Sequence, residues 1–153
     1  MVQLLGEYDV RMDEKGRFLF PAGLRKQLPP ESQERFVLNR GFESCLALYP
    51  FTEWQKITAE ISNLNPYNQK NREFIRFFHR GAQEMVLDGS GRLLIPKRLQ
   101  EWAGIGKDVV LSAIANRIEI WSKEKFDALL SNEPDSFAAL AEEVMGNRKQ
   151  GGE

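Results

Sequence analysis

Two short segments of the sequence carry an acidic residue, a glycine and an arginine at the same spacing. Residues 13–21 read DEKGRFLFP and residues 88–96 read DGSGRLLIP, so both fit D-x-x-G-R-h-h-h-P, where h is apolar. In each segment the glycine can adopt the positive φ of a tight turn. A guanidinium beside uncovered backbone N–H groups of such a turn suits a planar anion such as phosphate, or the edge of a guanine. The repeat indicates an internal duplication.

The carboxylate and the guanidinium of each segment allow two interpretations. Asp13 with Arg17, and Asp88 with Arg92, can form local pairs that brace a hairpin, or the arginines can contact a bound polyanion. Both interpretations stay open from the sequence. We expect structural roles for the turn residues, which are Asp13, Gly16, Asp88 and Gly91.

The elements that must position these turns also occur twice. In the first copy, the pattern predicts a strand over residues 2–12, a return strand at 18–20, a short helix opened by Pro21 that runs through Leu24 to Leu28, a hairpin around Gly41 and a helix after Pro50. The second copy repeats this order of strand, turn, strand, short helix, hairpin and helix. We therefore predict four segments: a first half at 1–62, a linker and amphipathic helix at 63–82, a second half at 83–131, and a C-terminal helix and tail at 132–153.

The amphipathic helix is predicted over residues 72–80. Arg72, Arg76 and Arg80 recur every four residues and form one stripe along it. A solvated or ion-paired face is the favoured interpretation of this stripe, and contact with phosphate is the alternative.

The composition bounds the function. With 42% hydrophobic and 28% charged residues the chain is typical of globular proteins, and its net charge of −1 excludes a uniformly basic surface. Basic residues nevertheless exceed acidic ones between positions 11 and 26. Cys45 lies in an apolar run, as a buried inert thiol would, and His79 has no evident catalytic partner. We therefore predict no enzyme, no metal site, no cofactor, no small-molecule substrate and no membrane segment, in a protein of the cytoplasm.

A duplicated β-rich scaffold with an arginine at each turn and a local basic cluster is typical of a DNA-binding module. The basic side chains would neutralise phosphates of double-stranded DNA, and Lys15 or Arg17 could reach base edges in the major groove. About five phosphate contacts per copy would give weak binding, so we expect a homo-oligomer.

With both turn segments in view, the chain resembles the MraZ family, bacterial transcription regulators built from two SpoVT/AbrB-like swapped-hairpin motifs. The resemblance spans residues 1 to about 146 and includes Leu48-Tyr49-Pro50-x-x-x-Trp54, Arg80-Gly81-Ala82 and Ile118-Glu119-Ile120-Trp121. It implies an α+β fold, a duplicated AbrB-like swapped-hairpin β-barrel flanked by short helices. It also implies subunits assembled into a ring on the nucleoid, bound to direct repeats upstream of the division and cell-wall gene cluster.

The resemblance also implies the residues that contact DNA. They are Arg11, Lys15, Arg17, Arg25, Lys26 and Arg92. The second copy has Val86, Gln100 and Glu101 where the first has Arg11, Arg25 and Lys26, so a structural pair with Asp88 remains an alternative for Arg92. On this basis the first copy is expected to read DNA while the second is mainly scaffold. An AbrB-like antitoxin and a pure assembly protein are the rival functions.

Overall fold

The computed structural model of the chain describes residues 2–131, 134 and 136–146, and it is an α+β structure. The described strands are β1 (Leu4–Arg11), β2 (Arg17–Leu19), β3 (Arg35–Arg40), β4 (Leu46–Pro50), β5 (Gln83–Val86), β6 (Arg92–Leu94), β7 (Asp108–Ala115) and β8 (Arg117–Ser122). The described helices are α1 (Ala22–Arg25), α2 (Phe51–Ile61), α3 (Gln69–His79), α4 (Lys97–Ala103), α5 (Lys123–Ser131) and α6 (Phe137–Gly146).

The chain divides into two compact units, Met1–Lys123 and Glu124–Glu153. All eight described strands lie in the first unit, and α6 lies in the second. Of the segment predicted as C-terminal helix and tail, residues 132, 133, 135 and 147–153 lie outside the described residues. No helix in the described part of the chain is both long and apolar enough to cross a membrane.

The strands of the two halves interleave. Six of them form an antiparallel sheet in the order β1-β7-β8-β4-β3-β5, and β2 pairs with β6 in a second sheet. Strand β1 of the first half thus pairs along its whole length with β7 of the second, and β5 of the second half pairs with β3 of the first. In the described residues the six-stranded sheet is open, with β1 and β5 at its edges.

The hairpin predicted inside each D-x-x-G-R segment is wrong in its pairing. Only the turn itself closes locally, where Asp13 N donates to Arg17 O at 2.8 Å. Beyond it, β2 pairs with β6 of the other half, and β1 pairs with β7. The predicted order of elements does occur twice, with α3 between the copies. The short helix predicted to open at Pro21 is α1, which begins directly after that proline and ends at Arg25 rather than at Leu28.

Each turn is organised by its aspartate. Asp13 Oδ1 accepts from the backbone N–H groups of Lys15 and Arg17, both at 2.9 Å, while Oδ2 accepts from Arg17 Nε at 2.8 Å. Asp88 repeats this pattern with Ser90 N, Arg92 N and Arg92 Nε at 2.8, 2.9 and 3.1 Å. The carboxylate therefore satisfies backbone donors that the turn would otherwise leave exposed to solvent.

These contacts lower the pKa of both aspartates. For Asp13 the largest cause is the hydrogen bond from the backbone N–H of Arg17, and for Asp88 it is the one from Arg92 N, because each bond favours the charged carboxylate. The glycines complete the turns, since Gly16 and Gly91 have φ of +85° and +80°, where a side chain would be strained.

One apolar cluster holds the first unit together and draws on both halves. Phe18, Leu93, Leu111 and Ile120 are all at most 1% exposed within it. Because this core contains side chains of β2, β6 and the six-stranded sheet, the position of the turns depends on both halves.

The turn geometry predicts how acid affects stability. Asp13 and Asp88 have folded-state pKa values below the ordinary 3.8. Their stabilising contribution is therefore complete above that value and is lost as the pH falls through the lower folded pKa. Asp13→Asn and Asp88→Asn should lower the thermal unfolding midpoint at pH 6, and should make it fall less steeply between about pH 5 and 2. Calorimetry over this range checks the prediction.

Glu14→Gln is the matched control, because Glu14 is an exposed carboxylate of the same turn for which the described residues show no hydrogen bond or ion pair. It should keep the acid dependence of the parent chain. If the unfolding midpoint falls with decreasing pH equally steeply in Asp13→Asn and in Glu14→Gln, the structural role of the turn aspartate is contradicted.

Candidate nucleic-acid interface

The small sheet of β2 and β6 forms an antiparallel ribbon with two different faces. Phe18 lies opposite Leu93 in the register, and both side chains are buried. Arg17 pairs across the ribbon with Leu94, and Leu19 pairs with Arg92. Because side chains alternate along a strand, these four lie on the other face of the ribbon, where the two leucines are exposed and the two arginines half-buried.

The two turns meet at this ribbon. Ile95 N donates to Gly16 O and Phe20 N donates to Gly91 O, both at 2.9 Å, so each strand continues its pairing into the turn of the other half. Arg92 Nη1 lies 4.0 Å from Asp13 Oδ2, which places a guanidinium of the second half beside a carboxylate of the first. The arginine of each turn therefore belongs to one shared surface.

Arg17 and Arg92 are held in the same way. In each, Nε donates to the aspartate of its own turn, and the side chains are 28% and 35% exposed. For the described residues, no hydrogen bond is found to the terminal Nη groups of either arginine. The aspartate thus fixes the guanidinium while its outer edge keeps donors for a ligand.

The backbone N–H groups around the glycine of each turn are already hydrogen-bonded, which corrects the expectation from the sequence that they are uncovered. Lys15 N and Arg17 N are occupied by Asp13 Oδ1, and Gly16 N donates to Asp13 O at 3.1 Å. The second turn is closed in the same manner by Asp88. Recognition of a polyanion here must therefore come from side chains.

One side chain from each short helix covers the glycine of the other half's turn: Arg25 of α1 lies over Gly91, and Gln100 of α4 lies over Gly16. A Cβ on Gly91 would lie 2.9 Å from Arg25 Nη1, and one on Gly16 would collide with Gln100 Nε2. Gln100 Nε2 also donates to Ile95 O at 2.7 Å. Arg25 of the first half and Arg92 of the second are consequently neighbours of the same turn, although they come from different copies of the repeat.

Four of the six predicted DNA-binding residues are ion-paired. Besides Arg17 and Arg92, Arg25 donates through Nη2 to Glu34 Oε1 at 2.8 Å, and Arg11 lies 3.8 Å from Asp108. The hydrogen bond with Glu34 raises the pKa of Arg25, while that of Glu34 is lowered. Lys15 and Lys26 are exposed and, within the described residues, form no ion pair. These lysines are the free cations of the predicted set.

Sequence reasoning missed several exposed side chains on this side of the motif. Leu19 and Leu94 are 64% and 49% exposed, although they were counted with the apolar strands. Lys97 and Arg98 are exposed at the start of α4, and the described residues show no partner for either. Leu19 also borders a cleft of about 320 Å³ that reaches Arg11. Alternation along the run R-h-h-h would have indicated the outward leucines.

The described residues contain no group of three His, Cys, Asp or Glu side chains that could hold a metal ion. Cys45 is buried, and burial raises its pKa to about 12, so the thiol stays protonated and inert. His79 Nδ1 is 2.8 Å from Ile75 O on its own helix.

The family model described as "MraZ protein, putative antitoxin-like" matches the chain twice, at residues 3–77 and 78–148. A protein named Transcriptional regulator MraZ from Christiangramia forsetii is 47% identical over 148 residues, which is 96% of each chain. Proteins of the same name from Flavobacterium psychrophilum and Cytophaga hutchinsonii are 45% and 43% identical, covering 96% and 95% of this chain and 94% and 96% of their own. No enzyme family is indicated by these matches. The chain therefore belongs to the MraZ family of transcriptional regulators.

Proposed function

We propose that this chain is a sequence-specific DNA-binding regulator that inserts the β2–β6 ribbon into the major groove. The observation that carries the proposal is the ribbon itself, which presents one aspartate-held guanidinium from each half of the repeat. A B-DNA major groove admits a two-stranded ribbon, and arginine donating to guanine O6 and N7 is the commonest specific contact. Because each guanidinium is already fixed, little rotamer entropy is lost on binding.

The proposal gives both halves of the repeat a part in reading DNA. The expectation that the second copy is mainly scaffold rested on Val86, Gln100 and Glu101. The hydrogen bond from Arg92 Nε to its turn aspartate, however, repeats that of Arg17. In the proposal a structural pair with Asp88 and a DNA contact are therefore compatible, since they use different nitrogen atoms of one side chain.

Phosphate contacts fall to the free lysines in this proposal. Lys15 is at the tip of the first turn and Lys26 follows α1, and both are exposed. Lys97 and Arg98 are candidates from the second half. Ion-paired Arg11 and Arg25 would first have to exchange a carboxylate for a phosphate. So small a set of free cations gives weak binding per copy, which favours several copies on adjacent sites.

We further propose that copies assemble into a ring that binds direct repeats upstream of the division and cell-wall gene cluster, in the cytoplasm at the nucleoid. An exposed apolar groove of about 230 Å³ supports assembly, and it is lined by Arg40, Gly41, Phe42, Phe74, Phe77, Phe78 and Trp102. An apolar surface of this kind on a small protein is typical of an interaction site.

The interleaved strand pairing also supports an AbrB-like swapped-hairpin barrel as the fold. No cofactor is required.

Replacing either ribbon arginine should remove specificity while the fold persists. We expect Arg17→Ala and Arg92→Ala each to weaken binding to a DNA duplex selected from a random pool by about 1–3 kcal/mol, because a bidentate base contact is lost. Non-specific binding should change much less. Mobility shifts with the selected duplex and a scrambled duplex measure both quantities. Lys70→Ala, an exposed cation on α3, is the control and should bind as the parent chain does.

Unchanged affinity of Arg92→Ala, with Arg17→Ala inactive, would restore the division of labour predicted from the sequence. Footprinting on the DNA upstream of the protein's own gene tests the proposed target, and absence of a protected repeat there would contradict it.

The free lysines should determine the salt dependence. Lys15→Ala and Lys26→Ala are each expected to reduce the slope of log K against log salt concentration by about 0.9, the value for one phosphate contact. Glu124→Gln, a charge change outside the first unit, should leave the slope unchanged. Titrations at several salt concentrations would refute the assignment if neither lysine alters the slope.

The apolar groove should control assembly. We expect light scattering to return a mass several times 17.6 kDa for the parent chain, and a smaller mass for Phe77→Glu, because a carboxylate in an apolar contact is costly. Tyr67→Glu changes a side chain that is 91% exposed and does not line the groove, so its mass should equal the parent's. A parent mass of one chain would overturn the ring.

A further inference from the structure

We propose that Leu19 and Leu94 read thymine, by contacting the C5-methyl groups of bases beside the guanines held by Arg17 and Arg92. The inference rests on the proposed DNA-binding function and assigns part of its sequence specificity. Both leucines are on the outward face of the β2–β6 ribbon, and the buried face is filled by Phe18 and Leu93.

Exposure of these two leucines has no explanation in the folded chain. Fully burying a leucine is worth about 1.5–3 kcal/mol, and the core accepts Phe18 and Leu93 from the same strands. Leu19 and Leu94 are instead 64% and 49% exposed, so a large part of each apolar side chain faces solvent. Their repetition in both halves makes the outward leucine a shared feature of the two turns.

The arrangement of charge argues for bases as the partner. Each leucine lies directly across the ribbon from an arginine, so guanidinium and apolar groups alternate on the face in both directions. If the partner of this face were instead a second copy of the chain, that copy would need a surface on which carboxylates and apolar side chains alternate. The major-groove edge of DNA offers this alternation, because guanine presents two acceptors while thymine presents a methyl group.

The spacing also fits stacked bases. Arg17 and Leu19 are two residues apart on β2, which corresponds to about 6.6 Å along a strand. Bases in one DNA strand rise by about 3.4 Å, so this is close to two base steps. Directly opposed residues of the ribbon are about 5 Å apart at Cβ. Side chains at these distances can contact neighbouring base pairs at the same time.

Replacing thymine by deoxyuracil tests the inference, because it removes only the C5-methyl group. The probe is a duplex selected from a random pool with the parent protein, and a copy in which each thymine in turn is deoxyuracil. We expect the parent to bind about fourfold more weakly for each methyl group that a leucine contacts. Leu19→Ala and Leu94→Ala should weaken binding to the thymine duplex by a similar factor, and should each lose discrimination at one position.

Leu5→Ala is the matched control, since Leu5 is 76% exposed on β1 and lies outside the ribbon; it should keep full discrimination. Leu94→Met keeps a long apolar side chain and should retain part of the discrimination between thymine and deoxyuracil. Thermal unfolding and light scattering accompany each variant. A lower mass for Leu19→Ala or Leu94→Ala would overturn the inference and make the leucines contacts between copies.

Discrimination that persists in both alanine variants would overturn the inference while leaving DNA binding intact. A selected duplex without thymine beside guanine would do the same. Failure to enrich any sequence would instead contradict the proposed function, and the inference with it.

Discussion

The backbone pairing between β2 and β6 is the interaction on which the rest of the structure depends. It joins the two halves at their turns, because Gly16 O and Gly91 O accept the hydrogen bonds that extend each strand. Glycine is favoured at both positions because Gly16 and Gly91 have φ of +85° and +80°, where a side chain would be strained. The pairing also fixes Phe18 and Leu93 inward, which leaves their neighbours on an outward face. Fold and candidate interface thus follow from one set of contacts.

The electrostatics of the interface differ from those of a generally basic protein. Four of the six predicted cations are paired with carboxylates: Arg17 and Arg92 with the aspartates of their own turns, Arg25 with Glu34, and Arg11 with Asp108. Surface ion pairs of this kind contribute little to stability. What they determine is orientation, because a guanidinium held at Nε by an aspartate presents its remaining donors in one direction. In such an interface, selectivity comes from the fixed orientation of the guanidinium groups. The overall attraction to DNA has to come from the free lysines and from the number of copies.

The sequence predicted the order of elements well, because turns and helix starts depend on local residues such as Gly16, Pro50 and Pro96. The partner of each strand could not be predicted, because the strands that pair are far apart in the sequence, as β1 and β7 are. The pair between Arg25 and Glu34 was missed because the two residues meet only through the fold. The outward position of Leu19 was not predicted, because three consecutive apolar residues conceal the alternation that turns the middle one outward. The family resemblance added the interleaving of the halves, which local rules do not contain.

The long-range register of β1 has a consequence for how the protein folds during synthesis. Leu4 pairs with Ala115, so β1 meets its partner only after more than a hundred further residues have been translated. At about 5–20 residues per second, this delay is on the order of 5–20 s. Throughout it the nascent chain exposes an unpaired strand, and neither half can close its sheet by itself. Contacts of such high sequence separation also slow the final folding step, so the interleaved fold ties assembly of the functional ribbon to completion of the chain.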